Sequence, residues 1–208
     1  DSDELPYSRN QRSMVYQRSK KILAARPFGS DENQYLEDFN WLNHSIYPSK
    51  IEDDDFRIRV GEGKNAYDIS VLNISGTSFG SISPKAIQSF SAGAKKGGFA
   101  HNTGEGSLSK YHERGGGDTI WQISTGYFGC RTQDGKFDEI QFAEKAKLKQ
   151  VKMIEIKLSQ GAKPGHGGML LGAKVSPEIA EARNVQAYQD VISPHKHSEF
   201  STPGELLK

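Results

Sequence analysis

The sequence predicts an α/β protein built on a parallel sheet, and three observations carry that reading. From the run SVLNIS onward, strand-like runs, polar loops and helical stretches follow one another in turn. A serine followed by a proline opens a helix twice, at Ser83–Pro84 and at Ser176–Pro177, pairing an N-cap with a first-turn proline. Three glycine-bearing polar loops, GTSFGSIS, TGEGS and SQGAKPGHGG, each come after a strand-like run. In parallel α/β folds the loops at the C-terminal strand ends hold the ligands.

The elements follow in order. Ser8 to Ala25 mixes basic residues with Met14, Val15, Ile22 and Leu23 at a loose helical spacing closed by RPFG, and its cations read as a solvated face. A second helix is expected from Ser30 through Tyr35, Leu36, Phe39 and Leu42, with Trp41 and Tyr47 as anchors onto a core. FRIRV alternates, GEGKN is turn chemistry, and YDISVLNIS resumes the strand pattern, which predicts a hairpin feeding a buried strand. A helix runs from the Ser83 cap to about Lys96, GGFAHN is a short strand, DEIQFAEKAKLKQ a helix, VKMIEIKL a strand and EIAEAR a helix. STPGELLK reads as the start of another helix, and the sequence opens on Asp1, so a fragment of a longer chain is expected.

Composition narrows the function. A formal net charge of +1 gives no electrostatic argument for nucleic acid or an anionic membrane surface. The lone Cys130 excludes an internal disulfide and an all-cysteine metal or iron–sulfur site made by this chain alone. No apolar run reaches the roughly 20 residues that span a bilayer, so no membrane segment is expected in this chain. A cytoplasmic setting is the expectation, with an anchor in flanking sequence left open. His195 and His197 form an HxH pair, but no third ligand lies at a useful spacing and no metal is expected.

The loops offer chemistry and also plainer readings. Thr77, Ser78 and Ser81 place hydroxyls among glycines at a helix start, suited either to a polar ligand or simply to capping. Asn102, Thr103 and Glu105 stand where flexible backbone lets side chains converge. Glu105 would orient an amine or imine, act as acid or base if burial raised its pKa, or lie exposed in a turn. Lys157, Gln160 and Lys163 lie three apart before a Pro164-stiffened turn, where lysine neutralises a carboxylate or an electron-rich ring and glutamine both donates and accepts. Neither a Walker loop nor a dinucleotide GxGxxG is present.

SFGSISPKA, NTGEG, SQGAKPGHGG, VSPEIAEAR and DVISPHKH, in this order, resemble the FMN-binding synthase domain of glutamate synthase, and most of all the stand-alone glutamate-synthase-like proteins that lack the glutaminase part. The resemblance implies a (β/α)8 TIM barrel, of which residues 51–208 would be the N-terminal half, behind a helical arm at residues 1–50. It implies FMN across the strand ends, with 2-oxoglutarate and ammonia combining to 2-iminoglutarate and reduction yielding glutamate. By motif position, Thr77, Ser78, Phe79, Gly80, Asn102, Thr103 and Lys157 would bind the flavin; Glu105 and Lys157 would be catalytic; and Ser81, Gln160, Lys163 and Arg183 would hold the substrate. Thr77 stands where the synthases usually have Met, Ser107 where they have Gly, and His166 where they have Glu, which opens the alternative of another amino or imino acid. With no iron–sulfur cysteine set and no N-terminal cysteine nucleophile, ammonia and electrons would come from elsewhere, through an electron donor or reductase partner that the sequence does not identify. A barrel ending at Lys208 would lack the later FMN-phosphate loops, so this fragment alone would be inactive, or serve as a catalytically silent binding module.

Overall fold

The computed structural model describes residues 6–22, 33, 35–37, 40, 42–50 and 56–207, and the chain divides into two units, Asp1–Ile51 and Glu52–Lys208. In the first unit, helix α1 (Arg9–Ser19) starts at Ser8, which accepts from Gln11 N while its own N–H donates to the Gln11 side chain, a reciprocal capping box. α1 buries no residue, because its apolar side chains never line up as a stripe. It ends six residues before the expected Ala25, which lies outside the described residues. Most of the helix expected from Ser30 to Leu42, and Trp41 with it, also lies outside them; Tyr35–Glu37 form a turn, and Tyr47, expected as an anchor, is exposed.

The second unit opens with the expected hairpin. β1 (Arg57–Val60) pairs antiparallel with β2 (Tyr67–Ser70), in the register Arg57↔Ser70 to Val60↔Tyr67. The buried strand expected to continue through YDISVLNIS is interrupted: Val71 and Leu72 are exposed, and the chain rejoins a sheet only at Ile74, which bridges His101 in parallel. Asn73 causes the break. Its amide donates to Ser70 O at 2.6 Å and accepts from Ala100 N at 3.0 Å, so a side chain replaces ladder hydrogen bonds and turns the backbone.

Helix α2 (Pro84–Gly97) follows, capped by Ser83 and closed by Gly98 in the left-handed region. β3 (Ala100–Asn102), β4 (Asp118–Ile123) and β5 (Val151–Ile156) form a parallel sheet in the order β3-β4-β5. The crossovers carry α3 (Lys110–Gly115) and α4 (Glu139–Ala146), the latter capped by Asp138. Helices cover one face, where Trp121, 0% exposed, stacks on Phe142 at 5.7 Å between centroids and packs with Ile123 and Tyr127. By strand alternation, Gln122 and Glu155 point to the other face. A second core gathers Phe79, Ile87, Phe128, Val175 and Ile179. Around it lie the antiparallel pair β6 (Met169–Leu170) and β7 (Val191–Ile192), with α5 (Pro177–Arg183) between them in sequence. The short α6 (Pro203–Leu206) begins in the final stretch, as its sequence predicts.

The architecture is therefore α/β with a parallel sheet, compatible with part of a barrel. Among the described residues, no helix is long and apolar enough to cross a membrane.

Candidate functional site

The loops after Ile74, β3 and β5 meet at the C-terminal ends of the parallel strands. Gly104 lets the first two touch: it has φ +62°, and a Cβ there would stand 2.6 Å from Ser78 Oγ. The side chain of Asn102 accepts from Gly104 N at 2.9 Å, and Ser78 Oγ accepts from Gly106 N at 3.2 Å, so both backbone N–H groups flanking Glu105 are tied down. Buried Thr103 shapes the same loop, donating to Gly104 O at 2.8 Å and accepting from Gln122 N at 3.0 Å.

Glu105 thereby enters a closed triangle with two residues of the third loop. Gln160 Nε2 donates to Glu105 Oε2 at 2.7 Å, Lys157 Nζ lies 3.4 Å from the same oxygen, and Lys157 Nζ donates to Gln160 Oε1 at 3.1 Å. Burial alone would push the Glu105 carboxyl up, but the Gln160 hydrogen bond and the Lys157 charge outweigh it and hold the carboxyl below the usual glutamate range. Glu105 is therefore a carboxylate at neutral pH, an acceptor and not an acid. Gly168 closes the loop behind it, since a Cβ there would fall 2.3 Å from Glu105 Oε1.

A cavity of about 100 Å³ adjoins this triangle, lined by Ser78, Ser81, Glu105, Arg183 and Ser193 among others. Arg183, 5% exposed, donates from Nη2 to Phe79 O at 3.2 Å and lies over the Phe128 ring, yet its Nε has no partner among the described residues. Burial lowers its pKa, opposed by the Glu105 charge.

Of the residues singled out in the sequence, Ser78, Ser81, Glu105, Lys157, Gln160 and Arg183 thus come together. Others face elsewhere. Thr77 Oγ1 is bonded to His101 at 2.8 Å, the Phe79 ring is packed into the second core, and Lys163 and His166 lie exposed on the glycine loop. The HxH pair is split, with His195 exposed and His197 buried. Among the described residues, no group of three His, Cys, Asp or Glu side chains stands close enough to hold a metal.

Three participants escaped the sequence reading. Glu155 Oε1 accepts from Asn102 at 3.0 Å and also from Gln122, making a polar row across β3, β4 and β5 on the face without helices. Ser193 lines the cavity. The strand period held the signal for Glu155, which sits in β5 two residues before Lys157, the first residue past the strand.

The family model for the conserved region in glutamate synthase matches residues 34–208, which takes in all of these loops. The chain belongs to the glutamate synthase family. It is 42% identical over 164 residues to the glutamate synthase large subunit-like protein YerD of Bacillus subtilis (strain 168), covering 77% of this chain and 31% of that protein. It is 31% identical over 171 residues to the archaeal glutamate synthase [NADPH] of Methanocaldococcus jannaschii, covering 82% and 31%. With the archaeal-type glutamate synthase [NADPH] of Thermotoga sp. (strain RQ2) it shares 37% identity over 129 residues, covering 62% and 23%. The chain spans less than a third of the length of these glutamate synthase relatives.

Proposed function

We propose that this chain supplies part of an FMN-dependent glutamate synthase site on a (β/α)8 barrel, in which 2-iminoglutarate, formed from 2-oxoglutarate and ammonia, is reduced to glutamate. The observation that carries the reading is the Glu105–Gln160–Lys157 triangle beside a cavity that also reaches Ser78, Ser81 and the buried Arg183. A buried guanidinium with an unpartnered Nε is a costly arrangement that a substrate carboxylate would relieve. A water occupies about 30 Å³ of liquid, so the cavity has room for a carboxylate head but not for a whole five-carbon diacid. The rest of the substrate would extend outward, and Lys163, exposed on the glycine loop, would be the cation to meet its second carboxylate.

The residues present also suit a flavin. The sheet face opposite the described helices carries the amides of Asn102 and Gln122, Lys157 just past β5 offers positive charge beside Glu105, and Gly76 leaves this edge open, since a Cβ there would approach Asn102 Oδ1 to 3.2 Å and Gln122 Nε2 to 3.3 Å. FMN, once bound and reduced by an external electron donor, would supply the hydride. The chain's own part is placement and charge: Lys157 favours a negative ring, Arg183 and Lys163 hold carboxylates, and the Glu105 carboxylate accepts the N–H of an imine or ammonium.

The full-length protein should purify yellow and release FMN on denaturation; a colourless preparation that takes up no added FMN contradicts the reading. Lys163→Ala should weaken 2-oxoglutarate binding by about tenfold while flavin stays bound, and equal loss of both in a folded variant removes that role. A second reading keeps the flavin and changes the amino or imino acid, and what favours it is His166 exposed on the substrate loop and Thr77 turned to His101. A screen of amino and imino acids for changes in the flavin spectrum separates the two.

A further inference from the structure

We infer that His197, oriented by Tyr127, is a positioning residue that fixes Lys157; the consequence for substrate rests on the reading of Lys157 given above. Lys157 is the first residue past β5. Its N–H continues the sheet by donating to Ile123 O at 2.8 Å, but its carbonyl points beyond the ladder. His197 Nε2 meets that carbonyl at 2.9 Å. A carbonyl only accepts, so Nε2 carries the proton.

The other ring nitrogen is fixed by a similar count. His197 Nδ1 stands 3.1 Å from the Tyr127 hydroxyl, whose oxygen also receives the N–H groups of Ser198 at 3.1 Å and Glu199 at 3.4 Å. Two donors occupy the oxygen's lone pairs, so the Tyr127 hydroxyl hydrogen goes to Nδ1. His197 is accordingly a neutral imidazole in the Nε2–H form, set by a tyrosine on one side and reading a backbone carbonyl on the other.

The surroundings hold this arrangement. His197 is 4% exposed, stacked on Phe200 with centroids 4.6 Å apart and tilted against Tyr127 at 5.4 Å. Tyr127 follows β4 with φ +50°, a backbone state that bulky residues rarely adopt. The segment carrying His197 is tied across the strand ends at two further points, Ser193 N to Gly168 O at 2.9 Å and Thr125 Oγ1 to Pro194 O at 2.6 Å. With its peptide held by Ile123 on one side and His197 on the other, the point and angle at which the Lys157 side chain leaves the backbone are fixed, and from there its Nζ reaches Glu105 and Gln160. His197 acts through Lys157 and touches neither of those two side chains' polar atoms.

The test uses the full-length protein and three readouts, two of them free of ligand. In long-range ¹H–¹⁵N spectra of histidine-labelled protein, His197 should show the neutral Nε2–H tautomer at pH 7; an Nδ1–H or cationic ring overturns the assignment. Acetylation of Lys157 by acetic anhydride, followed by mass spectrometry, should be several-fold faster in His197→Ala. It should stay near wild type in His197→Gln, whose amide N–H reaches where Nε2–H does, but not in His197→Asn. The dissociation constant for 2-oxoglutarate should rise roughly tenfold in the Ala and Asn variants and recover in the Gln variant. Unchanged Lys157 reactivity in His197→Ala, or equal behaviour of the Gln and Asn variants, refutes the role; the Gln–Asn pair decides alone if the Ala variant does not fold. A wild-type protein that binds no 2-oxoglutarate refutes the substrate reading, while the tautomer and the acetylation rates still judge His197.

Discussion

Gly168 and Glu105 show how narrowly the site is drawn at the residue scale. A Cβ at Gly168 meets a carboxylate oxygen, the movable end of a side chain, so Gly168→Ala should cost little stability, within about 1 kcal/mol, yet displace Glu105 from Gln160 and Lys157. Weaker 2-oxoglutarate binding at a nearly unchanged unfolding midpoint is the expected result, and calorimetry with a urea titration measures both. His101 and His112 give a pH prediction. Both rings are fully buried, 5.0 Å apart, and burial pulls their pKa values down to about 4 and about 3, with the His101 charge adding to the shift at His112. The unfolded chain binds protons from about pH 6.5 downward while the folded chain does not. Stability is therefore fully present above that pH and falls as the pH drops from about 6.5 toward 4, by roughly 1–2 kcal/mol per ring at pH 5. Urea midpoints at pH 7 and pH 5 test this, and a flat response contradicts it. Lys157 and Gln160 could be singled out from the sequence because two lysines and a glutamine three apart at a strand end are unusual, whereas Glu105 was singled out by the family resemblance, its residues alone reading equally as an exposed turn. The directions of Thr77 and Phe79 could not, because each depends on partners distant in sequence: His101 for one, Ile87, Phe128 and Ile179 for the other.

At the scale of elements, α2 and α3 are joined by one buried hydroxyl. Ser91 Oγ donates to His112 O at 2.7 Å and accepts from Gly117 N at 3.2 Å; His112 O also accepts from Gln150 Nε2 at 2.8 Å, so Ser91→Ala strands the buried Gly117 N–H and should cost about 1–3 kcal/mol. Chemical denaturation of variant and wild type checks it, and a change under about 0.5 kcal/mol contradicts the account. Two helices were legible because Ser83–Pro84 and Ser176–Pro177 are strong local signals, and α4 because DEIQFAEKAKLKQ reads as helical, its Asp138 cap being seen only in the structure. β4 was not read: DTIWQI follows three glycines, and its Trp121 and Gln122 serve opposite faces of the sheet. α3 has six residues and β6 and β7 two each, too few for a period to register. The strand expected through Val71 and Leu72 failed because Asn73 offered the backbone an alternative set of hydrogen bonds that composition does not reveal.

For the molecule as a whole, the parallel sheet and the convergence of its loops were foreseeable from alternation, while the route to the cavity was not. Arg183 reaches it from α5, and Ser193 from just beyond β7, through the second core, a packing choice written across residues 79–191 and in no single segment. The account stands or falls on whether this mouth holds a dicarboxylate beside a flavin. The most direct measurement is a titration of the full-length protein with 2-oxoglutarate, following visible flavin absorbance, in wild type and in Arg183→Met. A saturating spectral change in wild type, weakened by about tenfold or more in a variant that keeps its flavin, is the predicted result; no change in wild type at millimolar 2-oxoglutarate, or an identical titration in both proteins, contradicts it.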